Sequence, residues 1–450
     1  MISYADDVKP SICSIYDFYL VIEACTLLEK ASGVKLHRDL SAGKVKFLPL
    51  GRWRGYIKQN DIPFKFIKLS DHLDFVGVEL QASYQSTVKA NGDALQTRIR
   101  NTIGPWKMGR FMALLSRPHS LNCYAFSKVW FKCHTVNLRK LDVNFIISQA
   151  KSWLYRDLLL KPSEIALYRK SSDGGLDLLN VEIRAKALMT HTFLQTACNP
   201  LYIRNMYHEA LFRFHVLRDD SLEDPGFTPY FNENFFKILR SYHENNIGDL
   251  HDITIRRWYS LLLDAECLKS GEDLIPLKCE IRFPNIKWPE TWRLSRLTGL
   301  DGDLKSFLFT LLHGLLPTQE KLQKCEIDNS DGRCALCRSE CDSLTHTFFL
   351  CSYNLEAGSN LVECGRALIP QLSMEDILFL RLGENLSREK ELAVVSLIAI
   401  GLKFIWETRL EKKKVLLYKM RAELEARISL IRRTKFSSVG LLMEEMLFNT

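Results

Sequence analysis

Five of the thirteen cysteines fall between Cys325 and Cys351, and four residues of that stretch stand at the spacing Cys334-x2-Cys337-x8-His346-x4-Cys351. No other feature constrains the folding of the chain as tightly. Three thiolates and one imidazole make a closed tetrahedral shell for Zn²⁺. The two-residue gap lets a tight turn present two sulfurs to one ion, with Gly332 just ahead of it. His346 and Cys351 can then project from a short helix and close the shell. A four-ligand shell has no open position, so a zinc held this way is structural, and the local fold depends on it. The competing reading is four unrelated reduced side chains. A disulfide would need an oxidising compartment, which nothing in the sequence suggests. Cys341, inside the loop, is an alternative ligand, and Cys325 lies further off.

The opening residues carry neither a basic flank nor an apolar core, so export is not expected. The longest mostly apolar run, Leu392 to Leu402, falls far short of the ~20 residues that span a bilayer. An intracellular chain, nuclear or cytoplasmic, with reduced thiols and no membrane segment is therefore expected. A composition of 46% hydrophobic and 25% charged residues excludes wholesale disorder. With 22 Gly and 14 Pro in 450 residues, a collagen-like or linker-dominated chain is excluded as well. The formal net charge of +8 is compatible with a polyanionic partner.

Mixed patterning marks the first 90 or so residues. Ile15, Phe18, Tyr19, Ile22, Cys25 and Leu28 recur at helical spacing, so a helix is expected over 12–30, closed by Ser32-Gly33. The segments 44–50 and 75–80 read as strands. From about residue 94 the period turns helical, with breaks at Gly104-Pro105, 172–175, 224–229 and 283–289. Leu410, Leu417, Met420, Leu424, Ile428 and Ile431 form a late apolar stripe. Between Arg388 and Lys435 stand 13 Lys and Arg against 6 Asp and Glu, nearly the whole surplus of the chain. Lys412, Lys413, Lys414, Arg421, Arg427, Arg432 and Arg433 could lie along a nucleic-acid backbone; the other reading is a solvated face opposite a core stripe.

Tyr4-Ala5-Asp6-Asp7 carries the first chemistry. Its flanks, Ile2 and Val8, are strand formers, which places the carboxylates at the turn of a hairpin. Adjacent carboxylates there could bind Mg²⁺ through oxygen, and two such ions stabilise the attacking and leaving oxygens of a phosphoryl transfer. Taken alone, the pair also reads as a solvated turn.

The order of segments downstream of Asp7 resembles the reverse transcriptases of non-LTR (LINE-type) retrotransposons. In that family a Tyr-Ala-Asp-Asp hairpin precedes a helix, a segment similar to Ser32-Gly33 through Leu40-Ser41, and a strand similar to Phe75-Val76-Gly77. His37 replaces the usual Asn, Val76 the usual Leu, and Leu40 the usual Lys. Trp106, Gly109-Arg110, the run Ala125 to Lys128 and Trp130 resemble the helical thumb. Trp153, Lys161-Pro162, Gly174-Gly175-Leu176-Asp177-Leu178, Arg184 and Ala187 resemble its exit. The run Leu311 to Thr318 is similar to the segment before the family's zinc-binding region, and Thr345 and Phe348-Phe349 fit its surroundings.

This resemblance implies a mostly α fold with a small α/β partial palm. Its parts are a partial palm (1–95), a helical thumb (96–200), a helical connector (201–300), a zinc module (301–360) and a C-terminal basic helical domain (361–450). It implies RNA-directed DNA synthesis as the parent activity, with Asp6 and Asp7 as catalytic Mg²⁺ ligands, Zn²⁺ as a structural cofactor, and RNA and DNA as partners. The family's first catalytic aspartate, its fingers and its endonuclease lie upstream of the hairpin, and the chain starts three residues before Tyr4. A C-terminal fragment, inactive alone, is therefore expected; a non-enzymatic zinc-containing nucleic-acid binder derived from such an element is the alternative. Around the zinc cluster the charge is mixed: Lys321, Lys324, Arg333 and Arg338 against Glu326, Asp328, Asp331, Glu340 and Asp342. The aromatics Trp106, Phe111, Tyr124, Phe126 and Trp130 read as core or as a surface for a template duplex.

Overall fold

The computed structural model describes residues 2–197 (apart from 5–6, 10–11, 13, 34, 37, 40–43, 51–52, 54, 76, 82, 107–111 and 137), 253–269, and 277–448 (apart from 328–329, 339–340 and 384–385). It is 62% helical and 4% strand, so the mostly α class expected from the sequence is the one adopted. The chain divides into two compact units. One takes residues 1–104, 126–149 and 181–266, the other 105–125, 150–180 and 267–450.

In the first unit, strands β1 (Ile2–Tyr4) and β2 (Asp7–Lys9) pair antiparallel, with Tyr4 opposite Asp7. The expected hairpin is present. Helix α1 (Ile15–Ser32) starts with a capping box: the Ser14 hydroxyl accepts from the Asp17 N–H and the Asp17 carboxylate accepts from the Ser14 N–H. Gly33, at φ +75°, ends it as the sequence predicts, its N–H donating to the Glu29 carbonyl. Phe18 turns inward against Phe47 and Trp53, beside Ile62 and Ile67. Strand β3 (Val45–Phe47) pairs in parallel with β4 (Ile67–Leu69).

The segment 75–80, expected as one strand, is instead the centre of a hairpin. β5 (His72–Phe75) and β6 (Val78–Gln81) run antiparallel, and Gly77 at φ +76° turns the chain back. The apolar pattern is the same for a strand and for a tight hairpin; the left-handed glycine decides between them. Helix α2 (Tyr84–Ile103) comes next, and ends at the expected break at Gly104. Its fully buried Asn91 donates to the carbonyls of Glu79 and Thr87, and its Oδ1 accepts from the Glu79 N–H and from Lys132 Nζ at 2.9 Å. Phe126 is buried and lies edge-on to Trp130, while Tyr124, in the second unit, is exposed. Phe111, Gly109 and Arg110 lie outside the described residues, as do His37, Leu40, Ser41, Val76, the break at 224–229 and most of the expected connector.

The second unit is built around a large apolar cluster. Helices α3 (Trp288–Leu294), α4 (Gly302–Leu312) and α6 (Leu355–Arg366) pack against α7 (Arg388–Leu410), α5 (Gln319–Lys324) lies between α4 and α6 in the chain, and α8 (Leu417–Arg432) and α9 (Ser437–Phe448) also pack on α7. Every residue from Leu392 to Leu402 is buried, which explains the long apolar run: this middle stretch of α7 is apolar all round because other helices cover it. Among the described residues, no helix is long and apolar enough to cross a membrane. The late stripe is not one helix. Leu410 is exposed, residues 411–416 form a loop, and the stripe resumes with Met420, Leu424 and Ile428 buried.

The Gly174-Gly175 turn is locked into this unit. Gly174, at φ +82°, lies so close to Trp292 that a Cβ there would fall 2.4 Å from the indole. Its carbonyl accepts from His313 Nε2 at 2.8 Å, and the Gly175 carbonyl accepts from Arg296. The His313 ring stacks on Trp292 and touches Phe309, and burial pushes its pKa down to about 4.

Candidate metal centre

Backbone geometry assembles the cluster from three short pieces. Gly332 stands at φ +76°, and an added Cβ would fall 2.2 Å from Gln323 Oε1. Arg333 pairs across to Cys341, and the Asp342 N–H donates to the Gly332 carbonyl. This small antiparallel pair aims the Cys334–Cys337 turn. In that turn the Leu336 N–H donates to Cys334 Sγ, the Arg338 N–H donates to the Cys334 carbonyl, and Arg338 takes the left-handed conformation at φ +62°. On the opposite side His346 opens a wide helical turn, His346–Leu350, which closes when the Cys351 N–H donates to the His346 carbonyl. Such widened turns bring a residue and its fifth successor to one side and recur at functional sites.

The result places one ligand atom from each of Cys334, Cys337, His346 and Cys351 within 4.8 Å of all the others. Cys334 Sγ and Cys351 Sγ are 3.8 Å apart, and Cys337 Sγ is 3.4 Å from His346 Nε2. A tetrahedral zinc with ordinary Zn–S and Zn–N bonds requires about 3.8 Å between two sulfurs and about 3.5 Å between sulfur and nitrogen. The donors fit. A disulfide does not, since it needs about 2.05 Å between sulfurs, and none of the described cysteines forms one. Burial first, and then the neighbouring Cys334 and Cys337, push the Cys351 thiol up to about 12. Three thiolates so close in a buried pocket need a cation among them. Cys341 and Cys325 are exposed and stand outside the cluster.

A buried carboxylate ties the cluster to the rest of the unit. Asp342 is fully buried; its Oδ1 accepts from the Thr347 hydroxyl at 2.9 Å, and its Oδ2 accepts from the Gln319 N–H at the start of α5. The same carboxylate forms an ion pair with Arg409, near the end of α7 and 5% exposed at its side chain. The Arg409 guanidinium also lies 5.1 Å from the Trp406 ring centre. In the sequence Asp342 is only one of several acidic residues near the cluster. The signal that could have singled it out is its place directly before Ser343, whose hydroxyl accepts from the His346 N–H.

The acidic pair is a different case. Asp6 lies outside the described residues, and Asp7 begins β2. Among the described residues, the Cys334 cluster is the one group of His, Cys, Asp or Glu whose ligand atoms come close enough to share an ion.

With that geometry established, comparison with known proteins adds one finding. The family model described as zinc-binding in reverse transcriptase matches residues 290–357. That span runs from α3 to the start of α6 and includes all four clustered residues. It is a zinc-binding region of the kind associated with reverse transcriptases. No curated protein matches the chain.

Proposed function

We propose that the chain is a C-terminal portion of a non-LTR (LINE-type) retrotransposon reverse transcriptase and that its zinc-containing unit grips RNA or DNA. Cys334, Cys337, His346 and Cys351 hold one Zn²⁺, which fixes the loop between α5 and α6 and takes no part in bond making. The observation that carries this reading is the tetrahedral spacing of those four atoms inside the span that matches the reverse-transcriptase zinc region. The hairpin at Tyr4–Asp7, followed by a glycine-capped helix, supports the assignment of the front to a palm. So does the outward side of α1. Tyr16, Tyr19 and Leu27 are each more than half exposed, an apolar surface suited to cover by further chain. Asp6 and Asp7 would be Mg²⁺ ligands in the complete polymerase.

The test uses the chain as it stands. It is expected to carry one zinc by elemental analysis, to bind RNA, and to extend no primer on an RNA template. Absence of zinc would overturn the metal reading. Primer extension that disappears in Asp6→Asn/Asp7→Asn would overturn the proposal that this portion is inactive alone.

A further inference from the structure

Two sets of basic residues in the C-terminal segment differ in their partners. Arg427 pairs with Glu423 and Asp301, and Arg432 with Glu444. Those cations are matched by carboxylates at partly exposed positions. Lys412, Lys414 and Lys419 have no carboxylate within ion-pair distance among the described residues, and Lys413 meets Glu411 in a pair exposed on both sides. Exposed pairs of that kind contribute little.

The lysines also sit in an unusual place. Helix α7 ends in a double-bonded turn: the Lys413 N–H donates to the Thr408 carbonyl and the Lys412 N–H to the Arg409 carbonyl. This termination puts its first residue past the cap in the left-handed region, a position that favours glycine. Here the residue is Lys412, at φ +55°. A cation kept at a strained position invites a functional reading.

The loop is fastened to the metal-binding region. Val415, itself 1% exposed, donates its N–H to the carbonyl of Tyr353, two residues after Cys351. The lysines are therefore held beside Tyr353, which is 38% exposed, and are followed in the chain by Tyr418, 66% exposed. Glu356, Glu411 and Glu423 are carboxylates close in sequence to this surface, and Glu411 also feels the charge of Lys419.

We infer that Lys412, Lys413, Lys414 and Lys419 with Tyr353 and Tyr418 form a binding surface for single-stranded nucleic acid. The ammonium groups track the phosphates, and the tyrosine rings stack on bases that are free to splay out, which a closed duplex does not offer. This rests on the reading that the zinc-containing unit binds nucleic acid, and it names where and in what form.

The experiment measures binding of labelled oligothymidylate, and of the matching oligo(dT)·oligo(dA) duplex, to the full chain across a salt series. Lys412→Gly/Lys413→Ser/Lys414→Ser is expected to melt no lower than the parent, since glycine suits the left-handed position. Its affinity for the single strand should fall about tenfold or more. The slope of log K against log salt should fall by about 2, since each phosphate contact on a single strand contributes about 0.7. The triple Lys→Arg variant should keep most of the binding. Tyr353→Ala/Tyr418→Ala should weaken the single strand about tenfold, leaving the salt slope and the duplex affinity in place. If the lysines serve only to complement the α7 dipole, the first variant melts lower and binds as before, and the inference is overturned. Tighter binding to duplex than to single strand also overturns it. A parent chain that binds neither probe sinks both this surface and the nucleic-acid reading beneath it, whereas a parent that binds while both variants match it sinks this surface alone.

Discussion

The acidic hairpin at the front and the metal centre in the second unit are both short, but they acquire their chemistry differently. The hairpin is three residues against three, one of three two-stranded sheets among the described residues, in a unit that also buries helical residues such as Leu95, Ile99, Ile146 and Trp258. The metal centre needs no residue beyond 334–351 for its ligands, and its Phe348 and Phe349 belong to a large apolar cluster that includes α7. A ligand set within one short loop is complete as soon as that loop folds. A pair of carboxylates on a turn does nothing by itself; phosphoryl transfer needs further groups to hold both ions.

The sharpest break in this contrast is at the metal. Cys334→Ser or Cys351→Ser should drop bound zinc from one per chain to near none by elemental analysis. Hydrogen exchange should show residues 332–351 losing protection, because structural zinc contributes its binding free energy to folding. Next in size is Asp342→Ala, which strands Arg409 in the core. Removing one partner of a buried pair costs about 3–5 kcal/mol, read as a fall in the urea midpoint at unchanged slope.

His313 should give the second unit an acid limb. Its folded pKa lies at about 4, below the ordinary 6.5. Below pH 6.5 the unfolded chain therefore takes up a proton that the folded chain refuses. The stabilisation is complete above pH 6.5 and drains away as pH falls toward 4, by about 3 kcal/mol in all. His313→Gln should be less stable at pH 7 and flatter from pH 7 to pH 5; an unchanged acid limb would reject this assignment. A smaller effect is expected at Arg338, whose left-handed backbone costs about 1–2 kcal/mol. Arg338→Gly should recover about 1 kcal/mol without changing zinc content. Smallest of all, Asp6→Asn/Asp7→Asn should leave zinc content and the melting temperature of the second unit where they are. A lower zinc content in that variant would mean the two regions are not independent.

Much of this was legible in the residues. The ligand spacing needs only chain order, because all four positions lie in one loop. The glycine at 33 marks the end of α1 because caps are local; its start, expected at residue 12, falls instead at the capping box of Ser14. The apolar run 392–402 was legible as apolar but not as central, since periodicity cannot say what surrounds a helix. The reversal at Gly77 was hidden because Phe-Val-Gly-Val-Glu-Leu suits a strand and a hairpin alike. The pairing of Asp342 with Arg409 was not legible: even with Asp342 singled out, its partner lies 67 residues on and is reached only by packing.

That pairing has a consequence during synthesis. The four ligands leave the ribosome well before α7 is complete. At about 5–20 residues per second, the 67 residues from Asp342 to Arg409 take roughly 3–13 s to translate. The metal loop can load while its carboxylate still faces water. With zinc bound as proposed, α7 would meet a loop already shaped by the metal when Arg409 emerges.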